Sequence, residues 1–159
     1  MARSGLLKAT LLVAVTSGMA VGRRAEAQTG GFQYAAKFVI GQSNGDILAK
    51  GQYFTAINVH NPTNEPVTFR KKFAVALPGE KAGRVSQFVS ATLKADEALE
   101  IDTRDILGHV SPTGAAGFFK GFVVIETPVE LDVVGVYTAA GSTGSVETMH
   151  MDRVPPRKH

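Results

Sequence analysis

Tyr53-Phe54-Thr55-Ala56-Ile57-Asn58-Val59-His60 runs straight into Asn61-Pro62-Thr63-Asn64-Glu65-Pro66. In the first eight residues Tyr53, Thr55, Ile57 and Val59 alternate with Phe54, Ala56, Asn58 and His60. Successive side chains of a strand point to opposite faces, so this period of two predicts a half-buried strand. Two prolines and two asparagines in the next six residues predict a turn. Proline fixes φ there, and asparagine hydrogen-bonds its own backbone.

The same pattern repeats on both sides. Phe32, Tyr34, Ala36, Phe38 and Ile40 mark a strand of about nine residues, and Asn44-Gly45 a tight turn after it. Val67, Phe69, Phe73, Val75 and Leu77 mark a long strand with Thr68, Arg70 and Lys72 on its other face. Lys71 falls on the apolar phase, so a bulge or an exposed strand start is expected there. Residues 78–83 read as a polar loop, 85–93 as one strand, and 98–102 as a short strand with Leu99 and Ile101 inward. Residues 102–108 are the one helical candidate, capped by Asp102 and stopped by Gly108. The apolar run at 121–127 reads as a central strand covered on both faces. Leu131, Val133 and Tyr137 mark another strand, and 146–154 a last one that Pro155-Pro156 stops. The expected core includes Phe38, Ile57, Phe69, Val75, Val124, Ile125, Val133 and Val136, with Met149 and Met151 as filler.

Seven or eight strands with turn chemistry between them, and no βαβ alternation, predict an all-β fold. The expected architecture is an antiparallel β-sandwich, Ig-like in architecture, with a small closed barrel as the alternative. The cysteine pair and tryptophan of antibody domains are absent.

The chain has 159 residues, enough for one domain, and its 44% hydrophobic content excludes a disordered chain. Residues 1–27 read as a signal peptide. Arg3 and Lys8 precede a 13-residue apolar stretch, Ala9 to Val21, and Ala25-Glu26-Ala27 supplies an A-x-A cleavage site before Gln28. A helix of that stretch would span about 20 Å, short of the ~30 Å hydrocarbon core. The expected organisation is therefore a signal peptide at 1–27, one β-sandwich domain at 28–154, and a short basic tail at 155–159. The expected location is periplasmic or extracellular, with no integral span in the mature chain. Arg3, Lys8, Arg23 and Arg24 leave with the signal peptide, as does Glu26, so 13 basic and 13 acidic residues remain. This balance removes the case for nucleic-acid binding. With no cysteine, disulfides, thiolate metal sites and cysteine nucleophiles are excluded.

The runs Tyr53–Pro62 and Val67–Lys72, then Phe119–Glu126, Leu131–Val134 and Arg153–Arg157, resemble an uncharacterised group of small exported bacterial β-sandwich proteins. The resemblance implies the fold and export, and no chemistry.

No nucleotide-binding glycine loop, zinc-protease helix, calcium loop or nucleophile elbow is present. The candidate metal ligands are His60, His150 and Asp152, the last two sharing one face of a strand by their i, i+2 spacing. His109 and His159 are expected in a loop and a tail. Glu126 and Asp132 are expected to face each other across a hairpin. Arg70, Lys71 and Lys72 are expected to guard an edge strand, with a glycan or polyanion contact as the functional alternative. Together these features favour a non-enzymatic recognition or structural module without a cofactor. Its partner would be a protein or a glycan, and a homo-oligomer is compatible. The alternative is a hydrolase or metal-dependent enzyme using His60 or His150 with carboxylates of neighbouring strands. Export is checked by mass spectrometry of the secreted protein, which should begin at Gln28; an intact Met1 terminus would refute the signal-peptide reading.

Overall fold

The computed structural model describes residues 31–111, 117–141 and 146–158. The expected signal peptide and His159 lie outside them. β1 (Phe32–Ser43) pairs with β7 (Phe119–Thr127) from Phe32 to Ile40, then with β2 (Gly51–His60) from Gly41 to Ser43. β7 pairs on its other side with β3 (Val67–Leu77). The far edge of β3 carries β5 (Val89–Leu93) and β4 (Lys81–Val85). These strands form the first sheet. In the second, β2 pairs with β8 (Asp132–Ala140), β8 with β9 (Val146–Arg153), and β6 (Ala98–Ile101) with β2. Every pairing is antiparallel, and the path β4–β3–β7–β1–β2–β8–β9 does not close. The fold is thus all-β and sandwich-like, an open sheet path rather than a closed barrel.

β1 passes from one sheet to the other at Gly41. Gly41 has φ +95°, and a side chain there would overlap the Gly117 carbonyl, so both the bend and the close approach require glycine. Two side-chain contacts tie the sheets below this bend. The Tyr34 hydroxyl donates to the Leu131 carbonyl (2.8 Å) and accepts from the Leu131 N–H (2.7 Å). The buried Thr55 hydroxyl accepts from the Val39 N–H (3.0 Å) and donates to the Val39 carbonyl (2.9 Å). Thr55 in turn donates its N–H to the hydroxyl of Thr103, which donates to the Thr55 carbonyl. Backbone groups that no strand pairs are thus satisfied by side chains, as buried polar groups must be.

The core is one cluster from both sheets and the helix, including Tyr34, Phe38, Ile57, Phe69, Phe73, Ile106, Ile125 and Val133. The turn after β2 is built on Asn61, which is fully buried. Its amide donates to the Glu65 and Lys94 carbonyls (2.8 and 2.9 Å), and its oxygen accepts from the Thr63 N–H.

Several expectations are corrected. The strand expected at 85–93 is two strands. Ser86 separates them and satisfies both backbone groups of Phe73 where neither reaches. The loop expected at 78–83 gives way to β4 at Lys81. The helix α1 (Thr103–Val110) has the expected Asp102 cap, reinforced by Asp105 in a capping box, but runs through Gly108 and ends at Ser111. Burying Ile106 and Val110 outweighs the cost of one helical glycine. β3 is paired on both sides and is no edge. Its register with β7 is continuous through Lys71, and the irregularity lies between Ala74 and Ala76 against β4. β7 is central but covered on one face only. Val123 and Ile125 are buried while Val124 is half-buried, as are Val75 and Val136. Met149 and Met151 are 63% exposed because, among the described residues, no further layer covers their face of the second sheet. Pro155-Pro156 does end β9, yet the segment expected as a tail forms β10 (Arg157–Lys158), paired with Phe32 and Gln33. Glu126 and Asp132 do not face each other, because residues 128–131 cross from one sheet to the other.

Ile57→Ala should cost about 2–5 kcal/mol in denaturant unfolding, and Val136→Ala about 1 kcal/mol or less. Thr55→Val keeps the shape but strips both partners from Val39, and should cost about 1–3 kcal/mol. Equal losses for Ile57→Ala and Val136→Ala would contradict the assignment of inner and outer faces.

Candidate functional site

His60 ends β2 opposite Asp132, the first residue of β8. Its Nδ1 lies 3.2 Å from Asp132 Oδ2, and its Nε2 3.0 Å from Asp96 Oδ1. Asp96 sits in the turn between β5 and β6 with φ +58°. The other Asp132 oxygen accepts from the Arg153 guanidinium at 3.4 Å. Only a doubly protonated imidazole can donate to both carboxylates at once. The hydrogen bond to Asp132, then that to Asp96, therefore holds the His60 pKa above its ordinary 6.5, against a smaller opposing effect of burial. The cluster ties the ends of β2, β8 and β9 to one turn. Its carboxylates lie on opposite nitrogens of the ring and so do not converge on one ion. Among the described residues, no group of three or more His, Asp or Glu is arranged to hold a metal.

Arg70, Lys71 and Lys72 divide between the faces of β3. The Arg70 guanidinium pairs with Glu126 at 2.8 Å, and Arg70 and Lys72 both lie 4.4 Å from the centre of the Phe88 ring. Lys71 points inward between Phe69 and Phe73 in the strand alternation and is half-buried. Burial lowers its pKa, and the charge of Asp105 on α1 partly offsets this. They are not one contact surface.

His150 and Asp152 share one phase of β9, as their spacing implied. His150 stands opposite Tyr137 of β8, which stands opposite Thr55 of β2. His60 is five residues further along β2, roughly 17 Å away at the rise of a strand, so the two histidines do not meet. His150 and Asp152 instead line an open groove of about 390 Å³ with Lys37, Tyr53, Phe54 and Tyr137. The rings of Tyr137 and His150 stack with centroids 6.2 Å apart and planes at 22°. The bare Gly135 makes room for the Tyr137 hydroxyl, which a side chain there would strike. Burial, and secondarily the charge of Asp152, raises the Tyr137 pKa. Phe54 is 43% exposed.

The aromatic lining of this groove was not legible in the sequence. Tyr53 and Tyr137 lie more than eighty positions apart, and only the register of β2, β8 and β9 brings them to one face with His150. His109, expected in a loop, is in the last turn of α1 and stacks on Phe73 with centroids 4.5 Å apart.

No protein-family model and no curated protein matches the chain. Among solved structures, the crystal structure of Thermotoga maritima 1070 is similar over 79% of this chain and 91% of that one, with a TM-score of 0.48 and 10% sequence identity. A likeness at that level assigns neither family nor function.

The His60 clasp predicts a pH dependence with a definite sign. A raised pKa in the folded state stabilises fully below the unfolded value of about 6.5 and is lost as pH rises through the folded pKa. The stability advantage of the wild type over His60→Gln should therefore be largest in mild acid and fade above neutrality. An NMR titration should give His60 a pKa above 6.5 that falls in Asp132→Asn. An advantage that instead grew on going from pH 6 to pH 8 would contradict the clasp.

Proposed function

We propose that this protein is an exported, non-enzymatic β-sandwich module that acts by recognition in the cell envelope or outside the cell. The observation that carries this reading is the state of its ionisable side chains. His60 is held between two carboxylates, Asp132 is shared with Arg153, and Glu126 is held by Arg70. In each case the polar groups satisfy one another, and among the described residues no hydroxyl or amine nucleophile is hydrogen-bonded to the His60 imidazole as triad chemistry needs. The exposed chemistry is that of a surface: an aromatic-lined groove, and an outer sheet face bearing Phe54, Met149 and Met151. Among the described residues, no helix is long and apolar enough to cross a membrane. The N-terminal signal pattern and the resemblance to small exported sandwiches support the location. The apolar outer face also supports association with a protein partner or a second copy.

The enzyme alternative requires His60 or His150 to act as a base. It is tested by offering the purified protein chromogenic esters, glycosides, phosphate esters and peptides at pH 5 to 8, with and without zinc. No turnover above buffer is expected. Turnover that disappears in His60→Ala or His150→Ala would replace the recognition reading with the hydrolytic one.

A further inference from the structure

We propose that the groove between β1 and β9 is a saccharide site that takes one ring of an uncharged oligosaccharide. The proposal deepens the recognition reading above and rests on it. Three features of the groove choose the ligand class. The first is a set of aromatic faces: Tyr137 stacked on His150, with Tyr53 beside them on the same face of the sheet. A pyranose ring presents an apolar face of C–H groups that such a surface covers, in a groove whose volume of about 390 Å³ suits a small ligand.

The second feature is the spacing of polar groups around those faces. Asp152 follows His150 at i+2 on the same phase of β9, and Thr148 precedes it by the same interval. A carboxylate, an imidazole and a hydroxyl therefore stand in a row about 7 Å apart along one strand. Carboxylate and imidazole both hydrogen-bond hydroxyl groups, and a sugar ring carries hydroxyls on the rim of its apolar face.

The third feature is charge. Lys37 and Asp152 line the same groove, so it carries one formal charge of each sign. An anion would meet Asp152 and a cation would meet Lys37. A purely apolar ligand would strip water from the carboxylate and return no hydrogen bond, which is costly. A neutral, hydroxyl-bearing ring avoids all three penalties.

The test is a titration of the purified protein with maltotriose, cellotriose and chitotriose, followed by amide NMR. Controls are a galacturonate trimer and tetramethylammonium. At least one neutral trimer should shift the amides of Tyr53, Tyr137, His150 and Asp152, with a dissociation constant of about 10 mM or tighter. Asp152→Asn should weaken it about tenfold, because a neutral amide oxygen accepts from a hydroxyl more weakly than a carboxylate does. Tyr137→Leu should do at least as much, while Tyr137→Phe keeps the ring and stays within about twofold. Spectra of the free variants establish that each is folded. No shift at these residues with any neutral trimer at about 20 mM would overturn the proposal, as would affinity unchanged in both Asp152→Asn and Tyr137→Leu, or tetramethylammonium binding more tightly than every sugar. Mass spectrometry of the trimer after the titration separates the two readings. A cleaved trimer would keep the site and overturn the non-enzymatic function, whereas an intact, unbound trimer would overturn the site alone.

Discussion

The structure depends on one strand belonging to two sheets. β1 gives its first nine residues to β7 and its last three to β2. The change of partner occurs at Gly41, where a positive φ is needed and no side chain fits against Gly117. Below that bend β1 has parted from β2, and its backbone must find other partners. Thr55 satisfies Val39, Thr103 satisfies Thr55, and Tyr34 holds Leu131. The first two replace ladder hydrogen bonds that the parting of β1 and β2 removes, and the third ties β1 to the segment leading into β8. The chain contains no cysteine, and the β1–β2 pairing, these contacts and the buried cluster join the sheets.

That arrangement also decides which surfaces remain open. The second sheet continues from β2 through β8 to β9, and β1 packs against β8. The phase of β9 that carries His150 and Asp152 is consequently left accessible beside Lys37 and Val39. Among the described residues, the opposite phase, with Met149 and Met151, has no layer over it. Both exposures follow from where the sheets overlap rather than from a special local conformation of β9.

The two ends of the second sheet differ in how their charges are spent. At the His60 end, four ionisable groups neutralise one another and close the molecule with an ion-paired clasp. Exposed pairs of this kind contribute little individually and are screened by salt. In the groove, the imidazole of His150 meets an aromatic ring and Asp152 stays exposed. The first arrangement suits a structural tie, the second the recognition of a ligand.

Alternation by itself determined the strands, since a period of two leaves a strand only one way to bury its apolar side. It placed Phe38, Ile57, Phe69, Ile125 and Val133 in the core, and all five are buried. Capping chemistry put Asp102 at the start of the helix, because a carboxylate before a short amphipathic run satisfies exposed N–H groups. Alternation also placed His150 and Asp152 on one face. What alternation does not contain is the neighbour of each strand. Whether a face is covered depends on the opposite sheet, which is why Val124, Met149 and Met151 were assigned to the core and are not buried. Whether Lys71 lies on an edge depends on β4, β5 and β7, which the local pattern cannot specify. The His60–Asp96–Asp132 cluster and the Tyr137–His150 groove both arise from long-range register, where a shift of one residue turns every side chain to the other face. Tertiary structure alone decided them, because hydrogen bonds between distant strands, and not any local preference, set which side chains meet.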